Sequence, residues 1–148
     1  MFKKSLFVLL SYFPISLFAT EFEFSVGAGF QYSGVIGTQL AIKHQESKYF
    51  VSAGLPGYSV GMQTMISADE HHSAGFSVGN VQRILGGDAR YGFITYNYHV
   101  NGFNNDGWLF GAGVGMYDEK AHRELFAHGD IINPSTKAMI TLDVGYKF

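Results

Sequence analysis

A histidine and a serine stand two residues apart in the stretch HHSAG, where His71 precedes Ser73. Alternate residues of a β-strand point to the same face, so the two side chains would be neighbours on a strand. A histidine beside a serine can act as a general base that activates the hydroxyl for attack. The spacing therefore allows a hydrolytic site. A polar turn next to Asp69 and Glu70 explains the same residues without chemistry, and this is the interpretation we favour.

A second group of side chains that could do chemistry lies in the stretch 118–135. It contains two histidines and three acidic residues that could bind a metal: Asp118, His122, Glu124, His128 and Asp130. The six-residue separation of the histidines does not place them on one helix face, so no metal site is predicted. Oppositely charged pairs four residues apart indicate a short helix in this stretch, which is otherwise a solvated loop.

The overall composition excludes several classes of function. The chain has 148 residues, a formal charge of −2 and no cysteine, so neither a thiolate metal site nor a nucleic acid partner is predicted. Charged residues make up only 15% of the chain and aromatic residues 16%. A soluble domain of this size would carry more charge. No cofactor is expected.

The N-terminal segment has the form of a secretory signal. Lys3 and Lys4 precede an apolar stretch from Ser5 to Ala19, which Pro14 interrupts. This stretch is shorter than the roughly 17 to 25 residues of a membrane-spanning helix. We therefore predict a signal peptide over 1–19 and one exported domain over 20–148.

The exported part alternates between apolar and polar residues almost throughout, which predicts β-strands. Gly, Asn, Asp and Pro cluster in the intervening stretches, as turns require. Eight strands are predicted, at 21–32, 35–43, 48–55, 58–67, 72–79, 90–100, 108–117 and 136–148.

The two faces of these strands differ in a way that suggests which one meets lipid. The apolar face carries no charged residue on any strand, while the opposite face carries charges and more than half of the chain's 19 glycines. Small and charged side chains suit the narrow interior of an eight-stranded barrel. A sheet in lipid must also close, because unpaired backbone groups are costly there. The fold class predicted is all-β: a closed antiparallel eight-stranded transmembrane β-barrel, an up-and-down meander.

Two sets of residues gain a role in this arrangement. A charge network is predicted at one end of the lumen, formed by Glu21, Glu23, Lys43, Lys48, Asp143 and Lys147. An aromatic girdle is predicted at the membrane interface on the same side, formed by Phe22, Phe24, Tyr49, Tyr98, Trp108, Tyr146 and Phe148. A second girdle is predicted at the outer end, formed by Phe30, Tyr32 and Tyr58.

The last nine residues, ITLDVGYKF, alternate apolar and polar and end on Phe148. They resemble the C-terminal strand by which outer-membrane barrel proteins are recognised for assembly, and VGYKF is similar to the endings of small barrels of the OmpA and OmpX type. The resemblance implies an integral outer-membrane protein that meets outer-membrane lipid and lipopolysaccharide. It also implies that the barrel-assembly machinery binds the C-terminal strand.

The function expected from the sequence is structural or surface-interacting, for a monomeric barrel whose lumen is closed by side chains. The alternative is a lipid-modifying enzyme. The His71–Ser73 spacing is similar to the H-x-S-N motif of outer-membrane lipid A deacylases, although Ala74 stands where that motif has Asn. A solute pore is disfavoured, because large residues point into a lumen that is already narrow.

Overall fold

The computed structural model describes residues 21–82, 88–119, 122–123, 131–132 and 135–148. The predicted signal peptide over 1–19 lies outside the described residues. Within them, no helix is long and apolar enough to cross a membrane.

The described chain is almost entirely β. Its elements are β1 Glu21–Gly29, a 3₁₀ turn Phe30–Tyr32, β2 Gly34–His44, β3 Ser47–Met65, β4 His72–Gln82, β5 Asp88–His99, β6 Gly107–Glu119, β7 His122–Arg123, β8 Ile131–Ile132 and β9 Ser135–Lys147. β1 to β6 and β9 form a closed barrel in chain order, in which β9 pairs with both β6 and β1. Each neighbouring pair is antiparallel. The predicted closed antiparallel meander is confirmed.

The predicted number of strands is wrong: the barrel has seven strands, not eight. The two strands expected at 48–55 and 58–67 are one continuous strand, β3, because extended backbone runs through the expected turn without a break. The peptide bond between Leu55 and Pro56, within this stretch, is cis.

β3 nevertheless reverses its direction. The Met65 amide donates to the Glu46 carbonyl at 2.7 Å, and the hydroxyls of Ser47 and Thr64 are 2.9 Å apart. A straight strand of 19 residues would hold its two ends about 60 Å apart. The first half of β3 pairs with β2 and the second half with β4, so β3 contributes two passes of the wall. An even number of passes is what a ring with only antiparallel neighbours requires.

The first strand is shorter than predicted because the chain turns into the lumen after Gly29. Gly29 has a φ of 112°, in the region that favours glycine, and the following 3₁₀ turn points inward. Tyr32 is fully buried, and the Phe30 ring lies 5.0 Å from that of Tyr91 and 5.3 Å from that of Phe93. The outer girdle predicted from Phe30 and Tyr32 is therefore wrong, although Tyr58 is exposed.

The wall has the polarity opposite to that of a soluble protein. Among the described residues, eighteen polar or charged residues are buried against nine apolar ones. β9 illustrates the alternation: Thr141 and Asp143 are buried, whereas Ile140 is 76% and Leu142 79% exposed. The pleat of each strand produces this sorting, since successive side chains point to opposite faces.

The stretch 118–135 does not form the predicted helix where the structure describes it. β7 and β8 pair as a short antiparallel ribbon. Thr136 Oγ1 donates to the Asp118 carboxylate at 3.0 Å. Glu124, His128 and Asp130 lie outside the described residues.

The packing of Tyr32 predicts an asymmetry between two glycines. A Cβ at Gly145 would overlap the fully buried Tyr32 ring, whereas one at Gly92 would meet only Val78 Cγ1, at 3.7 Å. Gly145→Ala should therefore lower the free energy of unfolding by about 1 to 3 kcal/mol, and Gly92→Ala should change it little. Denaturant unfolding in detergent would measure both, and equal effects would contradict the position assigned to Tyr32.

Candidate functional site

A cluster of ion pairs lies inside the barrel at the end where β1 begins and β9 ends, which we term the base. Lys48 Nζ is 2.7 Å from Glu23 Oε1, and Lys43 Nζ is 3.4 Å from Glu23 Oε2. Lys43 also lies 3.5 Å from Glu21, whose side chain is largely exposed. Glu23 and Lys48 are buried, at 3% and 1% exposure. Four of the six residues predicted to form the charge network are thus in contact.

The turn between β5 and β6 folds into the base and covers this cluster, so we term residues 100–106 the plug. The plug residue Phe103 is fully buried, with its ring 4.9 Å from Lys48 Nζ and 5.1 Å from the His99 ring. Its amide donates to the Glu70 carbonyl at 2.6 Å. An aromatic residue within a polar turn was the sequence signal for this contact, which pattern reasoning missed.

Two lysines fasten the plug to the wall. Lys147 Nζ donates to the carbonyls of Gly102 and Phe103, both at 2.9 Å. Lys43 Nζ donates to the Asn104 carbonyl at 3.0 Å. Lys147, the fifth residue of the predicted network, therefore lies at the base but bonds backbone oxygens.

Asp143, the sixth residue of the predicted network, lies apart from the base in a separate polar group. It pairs with Gly111 across the β6–β9 ladder. Its carboxylate accepts one hydrogen bond from the backbone N–H of Gln31 at 2.9 Å and another from the side-chain Nε2 of Gln31 at 3.1 Å. Gln31 Nε2 also donates to Asn97 Oδ1, and Gln63 Nε2 donates to Gln31 Oε1, each at 2.9 Å. The inward 3₁₀ turn brings Gln31 to this position.

The hydroxyl of Ser73 contacts a different histidine from the one the sequence suggested. Ser73 Oγ lies 2.9 Å from His99 Nε2, and both residues are fully buried. His71 instead places Nδ1 2.7 Å from the His99 carbonyl oxygen. The contact between Ser73 and His99 joins neighbouring strands across 26 positions of sequence, a distance at which local spacing carries no signal.

The polar turn before β4 organises its own residues. The Asp69 carboxylate accepts hydrogen bonds from Ser67 Oγ and from the His71 amide, and these bonds lower the pKa of Asp69. His72 Nε2 lies 3.7 Å from the same carboxylate. Asp69 therefore contacts the His71 backbone and the His72 ring.

The aromatic residues of the predicted base girdle lie around the outside of the barrel. Six are exposed and Tyr146 is partly buried: Phe22, Phe24, Tyr49, Tyr98, Trp108 and Phe148. Tyr146 packs edge-on against Trp108 and Phe148, with ring centroids 5.4 and 5.0 Å apart. Their role at a membrane interface stays a prediction.

Comparisons with protein-family models, with curated proteins and with solved structures found no match to this chain. Across the described ranges, no group of three or more His, Asp or Glu side chains could hold a metal ion. The protein is thus defined by its architecture: a closed antiparallel β-barrel with a polar, plugged interior and an apolar exterior.

The buried ion pair predicts a non-additive response to mutation. Lys48→Met should lower the free energy of unfolding by about 3 kcal/mol, because Glu23 would keep a buried charge with only Lys43 beside it. Adding Glu23→Gln to this variant should restore part of the loss. A double-mutant cycle from denaturant unfolding would measure the coupling, and strictly additive effects would contradict the contact.

Proposed function

We propose that this chain is an integral outer-membrane β-barrel with a structural or surface-interaction role and a closed lumen. The main support for this proposal is the inverted polarity of the wall, with apolar side chains outside and polar ones inside. A β structure in lipid must close so that its backbone groups are paired, and this barrel closes.

The exterior supports this proposal by its composition. Large apolar side chains exposed by more than about two-thirds occur on several strands, including Val35, Leu55, Ile94 and Leu142. Soluble monomers rarely expose continuous apolar patches larger than a few hundred Å². A lipid bilayer would surround the barrel and cover the apolar side chains on every strand. In the outer leaflet this lipid would be lipopolysaccharide.

The interior favours a closed barrel over a solute pore. Phe103 and the ion pairs fill the base, the Tyr32 ring lies against Gly27 and Gly145, and the cluster around Phe30 fills the opposite half. A barrel of this size leaves room for little beyond side chains. The C-terminal strand, ending on Phe148, is the proposed contact of the barrel-assembly machinery.

The enzymatic alternative at His71 and Ser73 has weaker support. The Ser73 hydroxyl is fully buried and bonds His99, so a lipid substrate would have to enter a packed lumen. Acyl release from lipid A by the purified protein, lost in Ser73→Ala, would favour the enzyme over the structural role.

Cell fractionation followed by gel migration tests the proposal. The protein should appear in the outer-membrane fraction and migrate differently with and without boiling, because a closed barrel resists detergent until heated. A soluble periplasmic band without a heat-dependent shift would contradict it.

If the outer face contacts lipid, the loss of stability caused by an arginine on that face should depend on its depth in the membrane. Ala112→Arg, in the middle of β6 on the outer face, should lower the free energy of unfolding in lipid by about 2 to 4 kcal/mol. Thr136→Arg, at an exposed position near the far end of β9, should lower it by about 0 to 1 kcal/mol. Unfolding in lipid vesicles would compare the two variants, and equal costs would argue against a membrane belt at this height.

A further inference from the structure

The interior of the barrel has three layers along its axis. Ion pairs and Phe103 occupy the base, and a cluster of aromatic rings that includes Phe30, Tyr91 and Phe93 occupies the far half. Between them, the inward side chains of β4 and β5 are polar and uncharged. Some of the polar side chains in this middle layer have atoms that form no hydrogen bond with the described residues of the ionic layer or of the aromatic layer.

Several buried polar atoms of the middle layer have no hydrogen-bond partner among the described residues. They are Gln63 Oε1, Ser77 Oγ, Thr95 Oγ1 and Asn97 Nδ2. Each of these residues is at most 2% exposed. Buried polar groups are nearly always satisfied by protein or by ordered water, so four such groups in one layer indicate a polar guest.

Two of these four atoms, those of Thr95 and Asn97, lie on β5. Thr95, Asn97 and His99 are successive inward residues of β5, and His99 Nδ1 also has no partner. Successive side chains on one face of a strand are about 6.6 Å apart, a gap that one or two hydrogen-bonded water molecules fill. Ser77 continues the track on β4, where it pairs with Phe93.

A glycine lies between two side chains of this track. Gly75 pairs with Gln63 on one side and with Thr95 on the other, and both of those side chains point inward. A Cβ at position 75 would overlap the Met62 carbonyl oxygen, so the backbones of β3 and β4 lie close together beside the track. The lining has amide and hydroxyl groups, and the neighbouring Asp143 carboxylate already accepts two hydrogen bonds from Gln31, which suits a neutral guest such as water.

We propose that the lumen binds a file of ordered water molecules along β5, from His99 Nδ1 past Asn97 and Thr95 to Ser77 Oγ. Water donates to Gln63 Oε1, accepts from Asn97 Nδ2 and bonds the hydroxyls of Thr95 and Ser77. Phe103 closes one end of the file and Phe93 the other. The file is therefore an enclosed binding site for water, and its molecules exchange slowly with the solvent.

Nuclear magnetic resonance of the intact protein in detergent micelles tests this site directly. Long-lived water should give cross-relaxation to protons of Thr95, Asn97 and Ser77 and none to the buried methyl group of Ala89 in the aromatic layer. The same spectra of Thr95→Val, which replaces the hydroxyl by a methyl group, should lose the signals at position 95 and weaken those at Asn97. Absence of long-lived water at all three residues in the unmodified protein would overturn the proposal.

Denaturant unfolding of Thr95→Val gives a second test. The shift of the unfolding midpoint should have opposite signs for a water-filled and a dry interior. A hydroxyl bonded to water stabilises the fold, so its removal should lower the unfolding midpoint. In a dry track, removing an unsatisfied hydroxyl should raise the midpoint or leave it unchanged, which would contradict the water file. Thr64→Val is the matched control, because Thr64 Oγ1 bonds Ser47 Oγ and its loss should lower the midpoint in either case.

Discussion

The pairing of β1 with β9 closes the ring of backbone hydrogen bonds, and every other feature of the barrel depends on it. This ladder is the shortest in the wall, running from the pair Ser25 and Lys147 to the pair Ala28 and Val144, with a further bond from the Phe148 amide to the Phe24 carbonyl. It is short because β1 leaves the wall after Gly29. The residues that follow Gly29 turn into the lumen, where Gln31 and Tyr32 are buried.

The narrow lumen of a closed barrel of this size limits which side chains can fill it. The interior is too narrow for large side chains on every strand, so glycines face the few large ones, as Gly27 and Gly145 face Tyr32. Charges are buried only where they have partners, as Glu23 has in Lys48 and Lys43. The outside is then left with the apolar residues, which is why the proposed environment is lipid.

The sequence predicts the parts of this structure that follow from local periodicity. The two-residue repeat places Leu142 outside and Asp143 inside, because the pleat fixes the alternation of side chains. It does not predict that Tyr32 turns inward, since apolar alternation continues past the end of β1. It also does not predict that Phe103 covers the ion pairs or that Ser73 meets His99, because those contacts depend on packing between distant segments. The strand count was wrong for a related reason: chain reversal within β3 does not interrupt its extended backbone.

Spin-label accessibility tests most directly whether the exterior of the wall faces lipid, as proposed. The chain has no cysteine, so single cysteines can be placed at Phe110, Ala112 and Val114 on the outer face of β6, with Asn105 in an exposed turn as the control. In lipid vesicles, labels on β6 should collide with oxygen dissolved in lipid and be shielded from a water-soluble nickel chelate, while Asn105 shows the reverse. Equal access of the chelate to β6 and to Asn105 would contradict the account.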